Sequence, residues 1–180
     1  LTQLVQLDLS QNKLSGSVYS CFKHTLSNLL DLNLSKNCFI QINGNEHHGM
    51  EIENLRILNL CGNSIESIQI GDFLHLIKLE KLLLGSNKLN QINKEAFKSN
   101  PLLIELDLSR NLLEDHVIFE NLPFKTSKDV TTLYKSLKLF DKLEFLETIN
   151  LSNNRFKSIE PEAFKDCSES LQKLDVSVNN

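Results

Sequence analysis

Between Leu79 and Asn111 the spacing Leu-x-x-Leu-x-Leu-x-x-Asn occurs twice, as Leu79, Leu82, Leu84, Asn87 and then as Leu103, Leu106, Leu108, Asn111. The copies are 24 residues apart. A unit this short cannot bury a core alone, so it must stack on copies of itself, and the chain grows as an array. The signature can be followed through seven units, whose asparagines are Asn12, Asn37, Asn63, Asn87, Asn111, Asn154 and Asn179. Their intervals are 25, 26, 24, 24, 43 and 25 residues. The array is expected to occupy residues 1–180 in about seven strand units without caps, as a piece of a longer repeat protein.

The last two leucines of each signature alternate with one residue, as a strand with one buried face requires. Such short strands are stable only side by side, about 4.8 Å apart in a parallel sheet. The leucines behind the sheet form a continuous core, each contributing roughly 1.5–3 kcal/mol when buried. The asparagine then turns the chain away, its amide both donating to and accepting from backbone groups in the bend. On the return leg, Phe22, Phe73, Phe97 and Phe164 each fall ten residues past an Asn, and Phe140 stands 14 before Asn154. These five predict an aromatic spine on the convex side, with Met50 standing in where the third repeat lacks one. The fold class is α/β: a solenoid with a parallel β-sheet on the concave face and an irregular or short-helical convex side.

The 43-residue interval is the one irregularity, and its excess of 19 residues lies within 114–139. Val117, Ile118, Phe119, Leu122 and Phe124 make it too apolar for a free linker. It is expected to fold back on the convex surface, with a short amphipathic helix carrying Val130, Leu133, Leu137 and Phe140. Cys21, Cys38, Cys61 and Cys167 are scattered over separate repeats, which suits small packers or lone thiols better than a disulfide framework.

The formal net charge of −4 mixes 19 basic with 23 acidic residues and asks for neither nucleic acid nor an acidic membrane. His47 and His48 have no second ligand pair at useful spacing, so no metal is expected. No phosphate loop, cofactor motif or catalytic constellation stands out, and an enzyme is not expected. What remains is a surface. Residues between the strand leucines face outward in register: one column reads Gln6, Asp31, Ile57, Lys81, Glu105, Thr148, Lys173, and the next Asp8, Asn33, Asn59, Leu83, Asp107, Asn150, Asp175. Ile57, Leu83, Lys81, Glu105 and Asp107 are the candidate contact residues. Asn33-Leu34-Ser35 and Asn150-Leu151-Ser152 are sequons, making Asn33 and Asn150 candidate glycan acceptors in a secreted chain.

Leu-Asp-Leu-Ser and Leu-Asn-Leu-Ser strands, with Phe at its fixed offset in Glu95-Ala96-Phe97 and Glu162-Ala163-Phe164, resemble the extracellular "typical" class of leucine-rich repeats. Uneven repeats and one long insertion resemble Toll-like receptor ectodomains. The resemblance implies a horseshoe on the extracellular or lumenal side of a membrane-anchored parent. It further implies a protein or microbial-pattern ligand, and receptor dimerisation through lateral or concave faces. The alternatives are a secreted or cell-surface adhesion or matrix protein and an intracellular protein-binding scaffold. An isolated piece of such an array is expected to expose core leucines at its ends and to be poorly soluble.

Overall fold

A computed structural model describes residues 3–19, 26–43, 52–115, 139–140, 142–159 and 161–180. Seven three-residue strands form one parallel sheet: β1 (Gln6–Asp8), β3 (Asp31–Asn33), β5 (Ile57–Asn59), β7 (Lys81–Leu83), β9 (Glu105–Asp107), β10 (Thr148–Asn150) and β11 (Lys173–Asp175). Their order in space is their order in the chain, and their register follows the repeat: Gln6 beside Asp31, Ile57, Lys81, Glu105, Thr148 and Lys173. Two small parallel pairs lie on the return leg, β2 (Ser15–Ser17) with β4 (Cys38–Gln41) and β6 (Ser67–Ile68) with β8 (Gln91–Ile92). Among the described residues the longest helical piece is a 3-10 helix at Pro161–Cys167. The architecture is a leucine-lined solenoid with few helices among the described residues.

The central strand leucines Leu32, Leu58, Leu82 and Leu106, with Ile149, are fully buried behind the sheet. At the edges the cover thins. Leu7 is half-buried and Leu174 is 41% exposed, since an outermost strand has a neighbour on one side only. Across the core, Phe73 stacks on Phe97 with centroids 6.0 Å apart, and Phe140 on Phe164 at 5.5 Å. Phe22, Met50, Cys21 and most of the insertion, with its expected helix, lie outside the described residues.

The asparagine amides bind neighbouring repeats together. Asn111 Nδ2 donates to the Leu108 carbonyl of its own repeat (3.0 Å) and the Leu84 carbonyl of the preceding one (3.1 Å). Its Oδ1 accepts the Leu89 N–H, also from the preceding repeat, at 3.0 Å. Asn37, Asn63, Asn87 and Asn154 repeat this three-way pattern, and so does Asn179. Asn12 is exposed and reaches only carbonyls of its own turn, Leu9 and Ser10.

The residue before every ladder asparagine is left-handed: Gln11, Lys36, Gly62, Ser86, Arg110, Asn153 and Val178 all have φ between 53° and 69°. Only one of the seven is glycine. The left-handed turn costs a side chain about 1–2 kcal/mol. It is held because the N–H of each of the first six donates to a carbonyl of the next repeat, as Ser86 does to Ser109 at 2.9 Å and Arg110 to Ser152 at 2.9 Å.

Two local departures from the repeat bear on its core. Five residues past its asparagine, where later repeats bury Ile42 and Ile68, the first repeat has Ser17; the register shifts there, with Gly16 beside Phe39 but Ser17 beside Gln41, so Ser17 stands one place ahead of Ile42. Gly16 turns at φ +86°, and fully buried Val18 takes the core place. Beside Phe73, Asp72 holds the position that Ala96 and Ala163 fill in other repeats, and it is only 3% exposed. Burial pushes its carboxyl up to about 6, against hydrogen bonds from Gln69 and Asn43 that pull the other way.

Asn111→Ala should destabilise the chain by about 1–3 kcal/mol in urea unfolding, because the buried Leu89 N–H loses its partner while both carbonyls keep another donor. Asn12→Ala, at an exposed end, should stay within about 0.5 kcal/mol; equal costs would contradict the ladder. Ser86→Gly should raise the melting temperature and Gly62→Ala should lower it, each by about 1 kcal/mol equivalent. Native Asp72 keeps its proton to about pH 6, whereas the unfolded chain releases it near the ordinary aspartate value of 3.8. Stability should therefore fall by on the order of 3 kcal/mol as pH rises through that window. Asp72→Asn should remove that slope, measured as the midpoint of urea unfolding against pH.

Candidate binding surface

Side chains alternate across each three-residue strand, so the central residue enters the core and the two flanking ones project from the concave face. The structure brings all five candidate contact residues onto this face: Ile57 on β5, Lys81 and Leu83 on β7, Glu105 and Asp107 on β9. They do not have equal freedom. Lys81 Nζ lies 2.8 Å from Glu105 Oε2, and that hydrogen bond, with the pair's attraction, raises the lysine further. A second cross-strand pair, Arg56 with Glu80 at 3.2 Å, runs along the flank of the same strands.

The second outward column has a structural task that spacing did not reveal. Asp8 Oδ1 accepts the Ser10 N–H at 2.8 Å, and Asn33, Asn59, Asp107, Asn150 and Asp175 each cap the N–H two residues on. These side chains close the bend where the strand leaves the sheet, a local turn that short Asx side chains favour. The Ser10 bonds hold the Asp8 carboxyl below its usual value, and the Ser177 bonds do the same at Asp175. Asp107 is therefore anchored at one oxygen. Asn33 and Asn150 use Oδ1 in the same way, and Asn33 Nδ2 also donates to Asp8 Oδ2 at 3.1 Å.

Leu83 interrupts this column because it has no oxygen to offer. Two residues on, Gly85 stands where the other repeats carry Ser or Cys; a Cβ there would come within 2.7 Å of Asp107 Oδ2. Cys61, in the same row, has its thiol pushed up to about 11 by burial and then by the Asp107 charge, so it is a protonated packing group. Cys38 is exposed, Cys167 is buried, and neither is in a disulfide. Ile57, Leu83 and their neighbours Asp8, Asp31, Asn33 and Asn59 line a shallow depression of about 340 Å³.

Some polar residues inside the array gave no signal in the sequence. Asn100 is fully buried where other repeats place an apolar residue such as Leu76 or Leu143, and it donates to the Phe73 and Leu76 carbonyls at 3.0 and 2.9 Å. Asp72 escaped for the same reason: an isolated polar residue in a loop is indistinguishable by spacing from a solvated one. Of the histidines, His75 is half-buried on the return leg, and the other four lie outside the described residues. Among the described residues no three His, Cys, Asp or Glu side chains gather as a metal site would require.

Comparison with known proteins agrees with this geometry. One family model described as "Leucine rich repeat" matches residues 53–113, and a second matches residues 3–25 and 145–167. The chain is 28% identical over 164 residues to Toll-like receptor 3 of Bos taurus, covering 90% of the chain and 17% of that protein. It is 34% identical over 161 residues to the transforming growth factor beta activator LRRC33 of Danio rerio, covering 86% and 22%. To Toll-like receptor 7 of Mus musculus it is 29% identical over 193 aligned residues, covering 100% and 18%. The chain thus spans about a fifth of the length of these relatives. It is a leucine-rich repeat protein, and it resembles part of a Toll-like receptor ectodomain.

Proposed function

We propose that the chain is a ligand-recognition segment of a Toll-like-receptor-like innate immune receptor, binding a protein or microbial-pattern ligand on its solenoid surface. The observation that carries this reading is the extent of the likeness: similarity to Toll-like receptors 3 and 7 runs along 90–100% of the chain. The sheet supports it physically. Its side chains project in register from a backbone fixed by the asparagine ladder, so little order remains to be imposed on binding. Ile57, Lys81, Leu83, Glu105 and Asp107 are the contact residues in this reading, which involves no catalytic step and no cofactor.

The parent protein in this reading is membrane-anchored, with the repeats on the extracellular or lumenal side, and Asn150 accepts a glycan through Nδ2, whereas Asn33 Nδ2 is engaged by Asp8. No helix among the described residues is long and apolar enough to cross a membrane. Dimerisation is assigned to the lateral face, where Leu102 and Phe145 are 42% and 57% exposed just ahead of the first strand leucines. A second reading has a specific observation behind it: the identity to the growth factor activator, 34%, exceeds that to either Toll-like receptor. It makes the chain a protein-binding array of another cell-surface or matrix protein.

Two measurements test these readings. The transcript read past the codon of Asn180 should encode further repeats, an apolar span of about 20 residues and an intracellular α/β signalling domain. A stop soon after a cysteine-rich cap would select the second reading. In the parent chain on cells, Ile57→Asp, Lys81→Glu and Glu105→Lys should each weaken ligand response about tenfold at unchanged surface level. An undiminished response in all three would remove the ligand from the concave face.

A further inference from the structure

The charges on the concave face are unevenly satisfied. On the β5–β9 side carboxylates face cations across neighbouring strands: Glu80 meets Arg56 at 3.2 Å and Glu105 meets Lys81 at 2.8 Å. On the β1–β3 side Asp8 and Asp31 make no ion pair with any described residue. Asp31 has only a long hydrogen bond from Gln6 Nε2 at 3.4 Å, and Asp8 has the Ser10 N–H and the Asn33 amide, all uncharged donors. Asp8 is exposed and Asp31 half-buried, so both can reach a visitor.

These two carboxylates share the 340 Å³ depression with Ile57 and Leu83, the apolar interruption of the face. The register orders them. Asp31 stands beside Ile57 on adjoining strands, and Asp8 and Leu83 lie in the second column on the strands outside them. At about 4.8 Å per strand, the midpoint of the acidic pair is roughly 10 Å from that of the apolar pair. An extended peptide laid across the strands can therefore seat an apolar side chain on Ile57 and Leu83. A Lys or Arg a few residues along then comes between Asp8 and Asp31, with its aliphatic stem over Ile57.

We propose that the β1–β7 part of the concave face is a docking site for an extended protein segment bearing an apolar residue followed closely by Lys or Arg. This rests on the concave-face reading above and names the chemistry of the partner. Charge complementarity selects it: an acidic or neutral segment would leave Asp8 and Asp31 without a counter-charge as their water is displaced. The apolar floor distinguishes it from a site for small cations, which would gain nothing from Ile57 and Leu83. Binding should be faster and tighter at low salt, because the acidic pair lies at a rim that solvent screens.

The test is selection of a phage-displayed library of random dodecapeptides on the full chain, followed by affinity measurement of the selected peptides. Enrichment of an apolar residue within a few positions of Lys or Arg is expected. Asp8→Asn and Asp31→Asn should each weaken those peptides about tenfold, and Leu83→Ala several-fold. Asp8→Asn keeps the capping oxygen, as Asn33, Asn59 and Asn150 do at the same position, and gives up only the exposed bond from Asn33, so the melting temperature should move little. Enrichment without basic residues, or basic peptides indifferent to both Asn variants, would overturn the proposal. So would the absence of any enrichment. In that case a cellular response still sensitive to Lys81→Glu leaves the concave-face reading standing, whereas an insensitive one removes both.

Discussion

Each buried asparagine amide is shared between two repeats, and the rest of the structure depends on that sharing. Asn87 bonds the Leu84 carbonyl of its own turn and the Leu60 carbonyl of the turn before, and accepts the Ile65 N–H. A carbonyl such as Leu84 receives two amides, its own and that of Asn111, while an N–H such as Leu89 depends on one. Buried backbone groups left unpaired are costly, so a repeat is satisfied only when its neighbour is in place. Stability in such an array passes from unit to unit. The left-handed residue before each of the first six asparagines belongs to the same device, since its strain is held by a backbone bond to the next repeat.

The ladder also fixes what the concave face can offer. It holds the strands in one register, so outward side chains form columns rather than a mixed surface. One column is then largely committed, because Asp8, Asn33, Asn59, Asp107, Asn150 and Asp175 cap the turns leaving the sheet. The side chains left freer of this task are those of the other column, the second carboxylate oxygens of the aspartates and the faults in this column. Leu83 is such a fault, and Gly85 accompanies it because Asp107 closes over the place where a side chain would stand. Local failure of the structural pattern is what produces an apolar spot on a polar sheet.

The seven strands, their parallel order and their register were legible because a period of about 24 residues forces every copy to solve the same burial problem in the same way. Ile57, Lys81, Leu83, Glu105 and Asp107 could be placed on one face from alternation alone. The Asx caps were not legible: Asp and Asn suit a solvated surface and a turn equally well, and only the bend behind the strand decides between them. Nor was the register of β2, in which Val18 rather than Ser17 takes the buried place. Spacing counts residues and cannot see where the backbone takes one extra.

By itself the sequence determined the solenoid, the identity of its core leucines and the asparagines that close each turn, since these repeat and therefore announce themselves. Only the tertiary structure decided what happens where the repeat is broken. It placed Asp72 in an alanine position with its carboxyl raised, buried Asn100 among carbonyls, and paired Lys81 with Glu105 while giving Asp8 and Asp31 no cation among the described residues. The reason is physical. Periodicity specifies the average environment of a position, whereas the charge, burial and partners of a single residue depend on side chains about 25 positions away that stacking brings within a few ångströms.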